Sequence, residues 1–126
     1  MLVSGNILKL NTEYGIALRG ATSASVSDNT VTLNFDGMYI GGPGSAVPAS
    51  SGNTLALNKV RQNQNVGIAA DTTNLEFGNT FNVDMSFFNT IQVLDYSQGS
   101  GTAGTANTWI VTRCRGVAAS SPVGIC

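Results

Sequence analysis

Histidine is absent from this chain, and charged side chains are scarce. Charged residues make up 10% of the 126 residues, and the net charge of −1 comes from scattered positions without a basic run. A nucleic-acid-binding domain carries a basic patch or stripe, so we expect no nucleic-acid partner. No apolar stretch approaches the roughly 20 residues of a membrane helix, so we also expect no membrane partner.

The chain has two cysteines, Cys114 and Cys126. Without histidine, two thiols are too few soft ligands for a zinc site, so we expect no metal and no cofactor. A disulfide between them would pin the C-terminal tail, residues 112–126, over the last coil and would favour an oxidising compartment; the alternative is two free thiols. We therefore expect a secreted or cell-surface protein, although the N-terminus has no charged segment followed by an apolar one, as a signal peptide would.

A repeated frame, Asn-x-apolar-x-apolar, is the strongest pattern in the sequence. Its spacings of 23, 24, 26 and 28 residues, together with strand-like alternation, are typical of a solenoid. The sequence therefore predicts an all-β fold, a parallel β-helix of about five coils, forming one domain over residues 1–126. The first residues of the frames predict a structural amide ladder at one corner: Asn6, Asn29, Asn53, Asn79 and Asn107.

Alternation within each frame predicts two inward columns, because successive side chains of a strand point to opposite faces. The first column comprises Leu8, Val31, Leu55, Phe81 and Trp109, and the second comprises Leu10, Leu33, Leu57, Val83 and Val111. A second strand follows each frame after a glycine, at Gly15, Gly37 and Gly67. We expect these glycines to form corners with positive φ.

With the ladder and the coil length in view, the chain resembles the right-handed parallel β-helix of the pectin-lyase-like superfamily, especially its NosD-like repeats. The ending around Cys114 and Cys126 looks like the C-terminal closure of secreted bacterial members. The chain differs from the family enzymes in having fewer coils and no evident N-terminal capping helix.

Enzymes of this superfamily use carboxylates on one outer face for catalysis. The resemblance implies that Glu13 and Asp36 are the candidates for this role. These residues stand two positions after Asn11 and Asn34, and neighbouring coils would bring them about 5 Å apart, as in a retaining glycosidase. However, Val60 takes that position in the third coil. Solvated carboxylates at a corner are therefore the main alternative to a catalytic pair.

Three tyrosines, Tyr14, Tyr39 and Tyr96, offer rings on which sugars can stack. They predict carbohydrate binding, with a polysaccharide as the ligand class. Tyrosines at coil corners are the alternative interpretation.

The function that the sequence favours is a non-catalytic extracellular protein that presents a surface and associates with itself. A first coil without a cap exposes unpaired strand edges, which are templates for pairing. Head-to-tail stacking would give a filament and a two-fold contact would give a dimer. The alternatives are a polysaccharide lyase or hydrolase fragment, which would use Glu13 and Asp36, and a carbohydrate-binding module.

Overall fold

The computed structural model describes residues 1–41, 50–70, 78–82, 84–110, 112–116 and 118–126. Within these residues, fifteen short strands form three parallel sheets of five strands each. Sheet A contains β1 (Leu2–Ser4), β4 (Ser25–Ser27), β7 (Thr54–Ala56), β10 (Thr80–Asn82) and β13 (Thr108–Ile110). Sheet B contains β2 (Ile7–Lys9), β5 (Thr30–Thr32), β8 (Lys59–Arg61), β11 (Met85–Phe87) and β14 (Arg113–Arg115). Sheet C contains β3 (Tyr14–Arg19), β6 (Asp36–Gly41), β9 (Val66–Ala70), β12 (Ile91–Asp95) and β15 (Ala118–Ser121).

The chain visits sheets A, B and C in turn, so that each coil adds one parallel strand to every sheet. Four complete turns lead from β1 to β13, and β14 and β15 follow as the last rung of sheets B and C. The predicted all-β parallel β-helix is confirmed. The only helical element among the described residues is a 3-10 turn at Thr102–Gly104. No helix in the described part of the chain has the length and apolar character needed to span a membrane.

Asparagine ladders line all three corners of the coil. Corner AB, between sheets A and B, contains Asn6, Asn29, Asn58 and Asp84, whose side chains are joined by hydrogen bonds of 2.9–3.0 Å. Corner BC contains Asn11, Asn34, Asn63 and Asn89, and corner CA contains Asn53, Asn79 and Asn107. Each amide satisfies buried backbone groups of its neighbours as well, which is what a buried polar group requires.

The predicted single ladder is wrong in its register, because its five residues divide between two corners. Asn6 and Asn29 belong to corner AB, whereas Asn53, Asn79 and Asn107 belong to corner CA. The cause is a second asparagine five residues after the first, as in Asn53 and Asn58. Asn29 of corner AB and Asn53 of corner CA open the same frame, so the frame alone does not tell one corner from the next.

The same shift of register corrects the predicted core columns. Sheet A contributes Val3, Val26, Leu55, Phe81 and Trp109, and sheet B contributes Leu8, Val31, Val60, Ser86 and Cys114. Phe81 and Trp109 stack with ring centroids 3.7 Å apart and planes 5° apart. The core is therefore continuous from the second coil to the last.

The second predicted inward column is wrong where the structure describes it. Leu10, Leu33 and Leu57 are 71%, 47% and 49% exposed. Each has a φ near +60° and precedes a ladder asparagine, so the chain turns there and the alternation of the strand ends. Val83 and Val111 lie outside the described residues.

The glycines that open sheet C serve close approach and not a positive φ. A Cβ on Gly37 would overlap the carbonyl oxygen of Gly67 and the side chain of Val60, and would lie 2.9 Å from Nδ2 of Asn63. Gly37 lies inside β6, and its φ is not positive. The missing side chain therefore leaves room for the corner BC ladder, and the expected corner role is wrong.

The C-terminal segment closes the last coil. The segment predicted as a tail, 112–126, also supplies β14 and β15. Cys114 and Cys126 form the expected disulfide, and the preceding Ile125 is buried in the core. The end of the core at the fifth coil is thus covered by the chain itself.

Candidate functional site

A groove on the outer face of sheet C brings the three predicted tyrosines together. Tyr14 lies on β3, Tyr39 on β6, and Tyr96 directly after β12, and all three line one cavity of ≈ 190 Å³. Small neighbours make the room, because Tyr39 is flanked in register by Ala17 on one side and Ala69 on the other. We call this cavity and its lining the tyrosine groove.

The rings of Tyr14 and Tyr39 form one aromatic pair. Their centroids are 4.7 Å apart at an angle of 37°. The guanidinium of Arg19 lies 5.2 Å from the Tyr14 centroid and 5.7 Å from that of Tyr39, within the range of a cation–π contact. The groove therefore combines apolar ring faces with a positive charge at one end.

Arg19 is held in this position by Glu13. Its Nη2 donates to Oε1 of Glu13 over 3.1 Å. Desolvation lowers the pKa of Arg19, but hydrogen bonds and charge from Tyr14 and Glu13 outweigh it and raise that pKa above its ordinary value. Arg19 is therefore a cation at neutral pH.

Contrary to the prediction from the sequence, Glu13 and Asp36 are not paired in register on neighbouring strands. Asp36 lies in register with Tyr14, and its Oδ1 accepts the backbone N–H of Val66 over 2.9 Å. Glu13 lies one position earlier and binds Arg19. Each carboxylate therefore has a partner of its own, and the two take part in separate contacts instead of facing one another as a pair.

A second cavity of ≈ 440 Å³ adjoins the tyrosine groove and shares Tyr14 with it. Its lining also includes Asn11, Thr12, Glu13 and Arg19. Together the two cavities run from the first coil across sheet C to the fourth. An extended ligand with several hydroxyl groups matches a surface of this length and composition.

Asp84 is the one carboxyl in the described ladders with an unpartnered oxygen. Its Oδ1 accepts from the backbone and the side chain of Asn58, at 2.8 and 2.9 Å. Its buried Oδ2 has no partner, and neither has Oγ1 of Thr112. Burial raises the pKa of Asp84 to about 6, although both bonds from Asn58 lower it. This group affects stability, because it is buried away from both cavities.

Donors for a soft metal ion are few in this chain. There is no histidine, both cysteines are in the disulfide, and Met38 is fully buried in the core. The described residues contain no cluster of three or more histidine, cysteine or acidic side chains that could hold a metal ion.

Sequence reasoning identified the tyrosines and missed Arg19 and Asn65. Arg19 follows Tyr14 by five residues on the same strand, and Asn65 lines the groove from the third coil. A correct register for corner BC would have placed Arg19 on sheet C and Asn65 directly before β9 of that sheet, since the strand follows that ladder. The missing signal was therefore the five-residue spacing between asparagines.

Comparison with known proteins identifies the family. A family model described as "Periplasmic copper-binding protein (NosD)" matches residues 1–115. No curated protein matches the chain, and neither does any solved structure. Because the match spans 115 of the 126 residues, the chain belongs to the NosD family of parallel β-helix proteins.

Proposed function

We propose that this chain is a non-catalytic β-helix protein of the periplasm or cell surface that binds a glycan in the tyrosine groove. The observation that carries the proposal is the convergence of Tyr14, Tyr39 and Tyr96 on one cavity beside Arg19. Tyrosine presents an apolar face to sugar C–H groups and a hydroxyl to sugar oxygens. The family's periplasmic description and the disulfide both support this location.

Copper is not part of the proposal, although the family is described as copper-binding. Copper sites use imidazole, thiolate or thioether ligands. The chain has no histidine or free thiol, and with Met38 buried the remaining thioethers belong to Met1 and Met85, in the first and fourth coils. These donors do not fit a copper site.

The groove favours binding over the lyase or hydrolase alternative. The carboxylates of Glu13 and Asp36 are engaged by Arg19 and by the backbone of Val66. If catalysis does occur, an assay for new sugar ends should detect it on polygalacturonate, and Glu13→Ala with Asp36→Ala should abolish it.

Binding is tested by calorimetry with three hexasaccharides, namely β-1,4-linked glucose, β-1,4-linked N-acetylglucosamine and α-1,4-linked galacturonic acid. We expect at least one to bind saturably without cleavage, and Tyr39→Ala to weaken it about tenfold. Phe35→Ala is the matched control, because Phe35 is also an exposed aromatic but does not line the groove. Equal losses in both variants, or no binding of any of the three by the wild type, would contradict the proposal.

Self-association through the first coil is a second proposed property. Among the described strands, β1, β2 and β3 pair only with strands of the second coil. Val3 and Leu8 are half-buried, whereas their neighbours Val26 and Val31 are fully buried. A second copy can pair with these edges. Since the opposite end is covered by the C-terminal segment, a two-fold dimer is favoured over a filament.

Light scattering during size-exclusion chromatography tests this dimer. We expect a dimer in the wild type and a monomer in Leu8→Lys, which puts a charge on the edge. A monomer at every concentration, or filaments in electron micrographs, would overturn the two-fold contact.

A further inference from the structure

The outer face of sheet B gathers almost all the positive charge of the molecule. The chain has six lysines and arginines, and five of them lie on strands of this sheet: Lys9, Lys59, Arg61, Arg113 and Arg115. No strand of sheet B contains an acidic residue. We call this surface the basic face.

Strand register distributes these charges at regular intervals. The strands follow one another as β2, β5, β8, β11 and β14, and the cations lie on the first, third and fifth. Arg61 is in register with Phe87, which is in register with Arg115. With about 4.8 Å between strands, the charges recur roughly every 10 Å along a narrow, flat strip.

The cations of the basic face are exposed and without ion pairs. All five side chains are exposed, and Arg19–Glu13 is the only salt bridge among the residues that the structure describes. Asp84 comes just before β11 but is buried, and the exposed Asp28 lies at corner AB, outside the strands. Although the net charge of the chain is −1, this face produces a local positive potential that attracts anions.

A row of exposed apolar side chains borders the basic face at corner BC. Leu10, Leu33 and Phe88 follow β2, β5 and β11 and are 71%, 47% and 61% exposed. Each has a φ near +60°, a conformation that suits glycine or asparagine better. Neither backbone geometry nor packing explains why large apolar residues stand at these positions.

We propose that the basic face docks on an anionic phospholipid bilayer, with Leu10, Leu33 and Phe88 at the boundary between headgroups and acyl chains. This proposal departs from the expectation of no membrane partner, which rested only on the lack of a membrane-spanning apolar stretch. Surface-bound proteins combine clustered Lys and Arg with adjacent Leu or Phe in this way. An acidic polysaccharide would match the charges but leave the apolar row uncovered. A single-stranded nucleic acid would need aromatic platforms for its bases, and Phe87 is the one aromatic residue on the face.

Cosedimentation with vesicles tests this docking. Vesicles of phosphatidylcholine alone are compared with vesicles that also contain phosphatidylglycerol, using the full chain at low salt. We expect binding to the anionic vesicles only. Lys59→Gln with Arg61→Gln should weaken it about 25-fold, because each cation near such a surface contributes about fivefold.

Two further variants separate charge from folding and from apolar contact. Lys59→Arg with Arg61→Lys keeps the charge and should keep the binding, while Leu33→Ser should weaken binding even though no charge changes. Equal binding to both kinds of vesicle, or none to either, would overturn the proposal. A third outcome would also overturn the proposal. In that outcome polygalacturonate binds the wild type and displaces it from vesicles, and Leu33→Ser does not change the affinity for polygalacturonate. The test is independent of the glycan proposal, since Tyr39 and its groove lie on sheet C.

Discussion

The outer faces of sheets B and C differ in chemistry although they share one core. Sheet B presents five cations that form no salt bridge with the described residues, and an apolar border. Sheet C presents aromatic rings around a cavity and one cation held by Glu13. Strand alternation explains this independence, because inward residues build the core while the residues between them face solvent. The coil is thus a scaffold on which each face is free to take its own function.

The largest expected effect breaks the scaffold under both faces. Asn58 is fully buried, donates to Val26 and Asp84, and accepts from Asn29. Asn58→Ala leaves several buried groups without partners and should lower the free energy of unfolding by about 3 kcal/mol. Asn82→Ala, on the outer side of β10, is the control and should cost below about 0.5 kcal/mol.

Urea denaturation measures both variants. Because the two faces share the core, Asn58→Ala should lower the temperature at which glycan and vesicle binding are lost, and by the same amount for each. Loss of one binding activity well below the other would contradict a single cooperative scaffold.

A second prediction concerns pH. The pKa of Asp84 is about 6 in the fold against 3.8 for an ordinary aspartate, so the folded state favours the protonated acid. This contribution to stability is present in full below pH 3.8 and is lost as the pH rises to about 6. Two pKa units correspond to about 3 kcal/mol.

Asp84→Asn isolates this contribution from that of other carboxylates. By register, the new amide can donate to the carbonyl of Leu55, as Asn58 does to Val26. The variant should therefore be more stable than the wild type at pH 8, with the difference shrinking towards pH 4. A stability difference that does not change with pH would contradict the assignment.

The smallest expected effect sharpens the contrast between the faces. Raising the salt concentration shortens the Debye length and screens exposed charges. The affinity of the basic face for anionic vesicles should therefore fall steeply between about 0.05 and about 0.2 M salt. Binding of the neutral hexasaccharides in the tyrosine groove should stay within about twofold. Calorimetry and cosedimentation on one preparation give both slopes, and equal slopes would mean that the two faces do not act separately.

Several features of the fold could be predicted because they repeat locally. Frames such as Asn79-Thr80-Phe81 carry their own alternation and amide, so strands, ladders and the solenoid follow from neighbouring residues. The corner assignment failed, because Asn29 and Asn53 open the same local frame although they lie at different corners. The close spacing of Cys114 and Cys126 likewise sufficed to predict their disulfide, which needs no knowledge of the remaining coils.

By itself the amino-acid sequence determined the parallel β-helix, the presence of stacked asparagines and the C-terminal closure, since these depend on periodic short-range chemistry. Only the tertiary structure decided which residues share a face. Lys9 and Arg115 are more than a hundred positions apart, and no run of basic residues in the sequence indicates that they share a surface. They come to one side because four turns of the coil place them on the same sheet, and the same stacking joins Tyr14 to Tyr96.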